Sequence, residues 1–375
     1  MSYNHFIKSM KDNLRVIFFQ LIRIGLWGKE TFNLSEPLSD EDWIQIREYA
    51  INHTVEGLIY DTFTYLDEEH LPPKALRMKW AVRMDQIERH NKQMNDVIAA
   101  QYTAFKREGL KPLLQKGQGI AACYEIPLHR ISGDIDWYFE DKGYAEAREI
   151  LKNKKIAFKD TAGFSLDYDW KGIHIEHHKK LFDLGSPLKY NYLKRLQKKY
   201  KHNQKELIIN DVSITLLAPE LQLLQVNAHI LKHLISFGIG LRQLCDSARL
   251  YYTVASQIDP NNLKKIYQDA GILGWAHLLH IILVKNLGLP KENIPFPYPE
   301  GWNADWMMDE IWYSGNFGFH DERFKNGKIS PFSIRPDSTK RILKSLKKYF
   351  KYAPQEILFF PFIRAYSRLF GIDKN

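Results

Sequence analysis

"RISGDIDWYFED", residues 130–141, sets two carboxylates, Asp134 and Asp136, into an otherwise apolar run. Ile135 lies between them, and Trp137-Tyr138-Phe139 follow. Apolar residues this dense over so short a span predict a buried strand. Successive strand side chains point to opposite faces, so Asp134 and Asp136 share one face while Ile135 and Trp137 enter a core. Carboxylates about 7 Å apart along one face repel each other. A cation makes that arrangement favourable, and oxygen ligands suit Mg²⁺ or Mn²⁺, often beside substrate phosphates.

Around this strand the sequence changes texture twice. Residues 1–110 carry helical spacing of apolar groups, with a cap expected at Ser39 and a long helix after Pro72-Pro73. From 111 to 217 short apolar runs alternate with short helical segments, at about 118–125, 143–153 and 187–200. "FSLDYDW" and "GIHIEHH" read as a hairpin turning at Lys171-Gly172, and "KELIINDVSITLLAP" as another turning at Asn210-Asp211. Glu176, in the second of these runs, falls on the face opposite Ile173 and Ile175 and supplies a third carboxylate. From Pro219 the pattern is helical again, with two helices hinged near Gly238-Ile239-Gly240 and a Pro- and Gly-rich loop at 289–302. The expectation is an α+β fold in three parts: a helical region over 1–110, an α/β core over 111–217 and a helical region over 218–375. The core would hold a small mixed sheet.

Upstream of the strand lies "KGQG", residues 116–119, at a strand end and before a helical segment. A glycine turn there exposes backbone N–H groups that favour phosphate, although a lone Gly-x-Gly is equally a plain turn.

The combination resembles the nucleotidyltransferase superfamily built on the DNA polymerase β-type palm. Its pattern is a strand, a glycine turn, a helix, an Asp-x-Asp strand and a third acidic residue on a later strand. Gly117, Asp134, Asp136 and Glu176 match in that order. The match is closer to a bacterial branch, the uncharacterised nucleotidyltransferase family. Lys116, Tyr124, Pro127, Arg130, Ile135, Ile175 and His178 fit that branch, as does "GIGLRQLCD" at 238–246. The resemblance covers roughly 110–250 well and the flanks loosely. It implies a palm-type sheet and a two-metal transfer of a nucleotidyl group from a nucleoside triphosphate to an acceptor hydroxyl. The acceptor is unknown: a small molecule, a sugar or a protein. Asp134, Asp136 and Glu176 would hold Mg²⁺ or Mn²⁺, with Glu176 nearest the acceptor. Where the superfamily usually has serine, this chain has Gln118. Phosphate binding then falls to backbone N–H groups, Lys116 and Arg130. Arg242 would enter the cleft if the helical region closes over it, or pair with Asp246 four residues on.

Two other classes stay open: a nucleotide-binding module of the same fold with little or no turnover, and an RNA-directed nucleotidyltransferase. Net charge is +9, and residues 152–205 hold fourteen Lys/Arg against five Asp/Glu. Such a block binds nucleic acid or makes a solvated helix face, and the second is more usual. His229 and His233, at i and i+4, have a spacing that can hold zinc, but packing is favoured. The tail from Lys340 is expected to pack Leu343, Leu346 and Phe350 on the helical region. Cys123 and Cys245 form no motif, no signal peptide or transmembrane span is expected, and a cytoplasmic location is the default.

Overall fold

The computed structural model describes residues 3–28, 36–161, 165–236, 238–319, 321 and 338–369. Helix α1 (Tyr3–Trp27) leads, followed by α2 (Asp40–Asn52) and α3 (Glu56–Asp61). The expected cap is present: the Ser39 side chain accepts from the Asp42 N–H, and Asp42 reaches back to the Ser39 backbone. These reciprocal bonds satisfy donors that a helix start leaves unpaired. Helix α4 (Lys74–Arg107) starts after Pro73 and runs 34 residues.

Strand β1 (Leu113–Gln115) follows, then α5 (Gly117–Ala121), β2 (Asp134–Tyr138), α6 (Asp141–Asn153), β3 (Lys159–Thr161), β4 (Ser165–Trp170) and β5 (Ile173–His178). The sheet order is β1-β2-β5-β4-β3. Only β2 and β5 are parallel; the other pairs are antiparallel. The sheet is therefore small and mixed, in an α+β fold. Both expected hairpins form. Lys171 (φ +51°) and Gly172 (φ +75°) turn β4 into β5. Asn210 (φ +46°) and Asp211 (φ +61°) turn β6 (Lys205–Ile209) into β7 (Val212–Leu216), which pair as a separate two-stranded sheet. Two consecutive positive φ values are what a tight type I′ turn demands.

The faces of the five-stranded sheet differ. Ile135 and Trp137 of β2, Leu166 and Tyr168 of β4, and Ile173 and Ile175 of β5 are buried in one core. Opposite them pack Met94, Ile98, Tyr102 and Phe105 of α4 and Tyr144, Ala147 and Leu151 of α6. Inside this core Trp137 Nε1 donates to Gln101 Oε1 (2.7 Å), and Gln101 Nε2 donates to the Tyr168 hydroxyl (2.9 Å). The polar atoms of Trp137 and Tyr168 are thus satisfied.

After α7 (Tyr190–Lys199) and the β6–β7 hairpin the chain is helical: α8 (Pro219–Ser236), α9 (Leu241–Val254), α10 (Pro260–Ala270), α11 (Leu273–Lys285), α12 (Asp305–Ser314), α13 (Ser338–Tyr349) and α14 (Pro354–Leu369). The second, larger core joins α1–α3, the first half of α4 through Trp80, Met84 and Ile87, and α8–α12. The bend expected near Gly238–Gly240 separates α8 from α9. A side chain at Gly240 would put Cβ 3.0 Å from the His53 carbonyl oxygen, a close contact that the two backbones would have to move apart to admit. The Arg242 N–H bonds that same carbonyl (3.3 Å).

One expectation about the tail is corrected. Leu346 packs on the larger core, but Leu343 and Phe350 are exposed. Ile342 and Tyr349 are buried instead, because a helix turning every 3.6 residues aligns 342, 346 and 349 on one side, and Ala353, in the turn before α14, is buried as well. Among the described residues, no helix is long and apolar enough to cross a membrane.

Candidate active site

The polar face of the sheet is built by register. Parallel pairing sets Asp134 opposite His174, Asp136 opposite Glu176 and Tyr138 opposite His178. Asp167 of β4 is the other cross-strand neighbour of Glu176. With a side-chain period of two, Asp134, Asp136, His174, Glu176 and His178 all share this face. The two strands come from chain segments some forty residues apart, joined through α6, β3 and β4.

Lys116 links β1 to α5 with φ +44° and ψ −135°, and Gly117 follows at φ +40°. A non-glycine residue in that region is strained, and such strain persists only where the surroundings enforce it. The result places Lys116 Nζ 3.5 Å from Asp136 Oδ2. The other oxygen of Asp136 meets His178 Nε2 at 2.6 Å, and the same nitrogen lies 3.3 Å from Glu176 Oε2. Carboxylates have no proton to give, so Nε2 is the donor. One ligand atom from each of Asp136, Glu176 and His178 lies within 4.8 Å of the other two.

Electrostatics follow from this crowding. Burial pushes the Asp136 carboxyl up, but Lys116 and the His178 hydrogen bond outweigh it and hold it well below the usual carboxylate range. Asp134 is pushed up to about 6, first by the Asp136 charge and then by burial. The His178 hydrogen bond lowers Glu176. Burial opposes protonation of His178, yet its bonds to Asp136 and Glu176 raise it to about 9. Lys116 is raised too: burial opposes its charge, and Asp136, Asp183, Asp134 and Glu176 together overcome that. The face is an anionic cluster partly balanced by two cations, Lys116 and His178.

A supporting group borders the cluster. Asp183 accepts from His229 Nδ1 (2.7 Å) and Lys232 Nζ (2.7 Å), both on α8. Burial alone would raise Asp183, but Lys232 and the His229 bond hold it far below its ordinary value. No local pattern of residues marks this tie between a loop and a helix. His178 was more visible: two residues after Glu176 in a strand, it must share that carboxylate's face.

The remaining sequence candidates divide. Arg130 is not aimed at the cluster. Its Nε and Nη2 donate to the two oxygens of Asp246 (both 2.7 Å), and Nη1 donates to Ser132 Oγ (2.8 Å). Asp246 also accepts from the Tyr124 hydroxyl (2.8 Å). The expected Arg242–Asp246 helix pair gives way to this fork-to-carboxylate pairing, whose two parallel bonds fit guanidinium geometry. Arg242 instead donates from Nη1 to the Ile131 carbonyl (2.7 Å), beside the Asp-x-Asp strand. Burial and then Arg130 lower its pKa, while Asp134 acts the other way. Gln118 also turns away from the carboxylates. Its Nε2 donates to Asn91 Oδ1 of α4 (2.9 Å), because its helical position faces that buried helix. His229 and His233 touch edge to face, and among the described residues the metal-capable cluster is Asp136, Glu176 and His178.

Comparison with known proteins adds a family. A search of curated proteins finds no match. Among solved structures, an antigenic nucleotidyltransferase-like protein from Paracoccidioides brasiliensis aligns with 42% of this chain and 75% of its own, at 14% identity and a TM-score of 0.31. A likeness that slight carries no argument about chemistry. The profile of the uncharacterised nucleotidyltransferase family matches residues 39–287, more than half of the chain. That span runs from the first cap through the carboxylate face to the helices behind it, and by it the chain belongs to the uncharacterised nucleotidyltransferase family.

Proposed function

We propose that this protein transfers a nucleotidyl group from a nucleoside triphosphate to an acceptor hydroxyl, with a divalent metal, and releases pyrophosphate. The observation that carries the proposal is the face on which Asp134, Asp136, Glu176 and Lys116 converge. The donor set fits a metal: ligand oxygens of Asp136 and Glu176 lie within 4.8 Å of each other, Asp134 stands on the same strand face, and Lys116 and His178 border them. Asp134, Asp136 and Glu176 would hold Mg²⁺ or Mn²⁺. A metal bound there supplies charge neutralisation for the phosphates and activation of the attacking hydroxyl.

The chain's own residues would do the rest. Lys116, with Nζ 3.5 Å from Asp136, would serve as a point charge for the phosphates. The Lys116-Gly117 turn would bring backbone N–H groups to the same place. Arg242, at the edge of the cleft, takes the role first expected of Arg130, whose guanidinium is spent on Asp246. Glu176 would accept the acceptor hydroxyl's proton as that oxygen bonds to the α-phosphorus and the α–β bridge breaks.

The test is thermal shift with Mg²⁺ or Mn²⁺ and each of the four ribonucleoside triphosphates. Wild type should be stabilised by the metal–nucleotide pair, since ligands that bind only the native state stabilise it. Asp136→Asn should stay folded and lose the shift. An equal shift in that variant would put the metal elsewhere and end the proposal.

A further inference from the structure

We infer that His178 is itself a metal ligand, making Asp136, Glu176 and His178 a mixed nitrogen–oxygen centre that selects a first-row transition ion such as Mn²⁺ over Mg²⁺. The inference rests on the metal-dependent reading above and names the ion class that site would take.

The geometry comes from the strands. Glu176 and His178 are two apart on β5, so both side chains leave the same face. Asp136 is registered against Glu176 on the adjacent parallel strand. The three side chains thus stand on one sheet, fixed by ladder hydrogen bonds rather than by loops. Ligands about 2.1 Å from a common ion lie roughly 3 Å apart at octahedral angles and 3.4 Å apart at tetrahedral ones. His178 Nε2 is 2.6 Å from Asp136 Oδ1 and 3.3 Å from Glu176 Oε2. The nitrogen therefore sits among the two carboxylates at near-ligand spacing, and small rotamer shifts would centre an ion where one proton is now shared. Asp134, on the same strand face, lies outside this trio.

Chemistry then sets the preference. Mg²⁺ demands oxygen ligands and gives up water reluctantly. Imidazole nitrogen shifts a site toward later divalent ions, with Mn²⁺ at the lenient end of that series. A site made of Asp134, Asp136 and Glu176 alone would have no such bias. The competing idea is that His178 only orients Asp136 through its hydrogen bond and leaves when metal arrives.

Mn²⁺ alone, added to the full chain, distinguishes them by electron paramagnetic resonance. Wild type should bind Mn²⁺ with ¹⁴N modulation in the pulsed spectrum, a signature that mere positioning does not give. His178→Ala and His178→Gln, each checked for folding by circular dichroism, should lose the modulation. They should also bind Mn²⁺ at least about tenfold more weakly, the lower figure seen even for residues that only support a ligand. Mg²⁺ affinity, read by competition against bound Mn²⁺, should change far less. Bound Mn²⁺ without nitrogen coupling, or unchanged Mn²⁺ affinity in both variants, overturns the inference and leaves the metal-dependent reading standing. If wild type binds no Mn²⁺, or if Asp136→Asn binds it equally well, that reading fails and this inference with it.

Discussion

Replacing Asp246 with alanine should damage the fold rather than the chemistry. The carboxylate accepts two bonds from Arg130 and one from Tyr124, all in a buried setting. Without it the Arg130 guanidinium keeps, among the described residues, Ser132 Oγ as its side-chain hydrogen-bond partner. Stranding one member of a buried ion pair costs roughly 3–5 kcal/mol. The orphaned Tyr124 hydroxyl adds about 1 kcal/mol, for a total near 4–6 kcal/mol. Arg130→Met with Asp246→Leu removes both charges together, and apolar replacement of a whole buried pair is often neutral. That double variant should recover all but about 1 kcal/mol, the residue being Tyr124. Urea unfolding of the wild type, Arg130→Met, Asp246→Leu and the double variant, followed by tryptophan fluorescence, gives the cycle, with Asp246→Ala and Arg130→Ala measured alongside. Calorimetric titration with a non-hydrolysable nucleotide gives the second readout. If Arg130→Ala unfolds at the wild-type midpoint yet loses nucleotide affinity, the guanidinium serves phosphate and the structural argument is wrong.

The other predictions are briefer. Arg242→Ala should weaken nucleotide binding by roughly 1.5–3 kcal/mol, the range for a hydrogen bond to a charged group, with little change in unfolding midpoint; unchanged affinity on titration would remove Arg242 from the cleft. His280 is buried against the Tyr251 hydroxyl, and burial, then His277, holds its pKa down to about 3. An unfolded histidine titrates near 6.5, so below that pH the unfolded chain binds the extra proton and stability is lost as pH falls toward 3. His280→Leu should flatten the stability profile between pH 6.5 and 4, and urea midpoints that fall as steeply as in wild type would refute it.

What was legible from the sequence depended on local rules. The phase of Asp134 and Asp136, the two positive-φ turns at Lys171-Gly172 and Asn210-Asp211, and the Ser39 cap each follow from a few neighbouring residues. Glu176 could be given a face, but not a neighbour. That β5 would lie parallel to β2, with β4 and β3 displaced to the sheet edge, is decided by packing across the whole core. Arg130 illustrates the limit best. Its position four residues before Asp134 suggested phosphate, while its partner is Asp246, 116 residues away. Gln118 likewise read as part of a phosphate turn until α4 supplied Asn91 beneath it. Pairings between distant buried polar groups leave no periodicity to read.

Helix α4 has one more consequence. Its first half enters the larger core at Trp80, Met84 and Ile87, and its second half enters the sheet's core from Met94 to Phe105. Between them Asn91 donates to the carbonyls of Leu128 and Arg130. Thirty-four residues at 1.5 Å each make a rod of about 51 Å with no proline inside it. Two cores strung on one unbroken rod share their fate. Melting either one exposes half of the helix and withdraws support from the half that anchors the other. Cooperativity therefore passes along α4, and amides in both halves should exchange their hydrogens through one common opening rather than two.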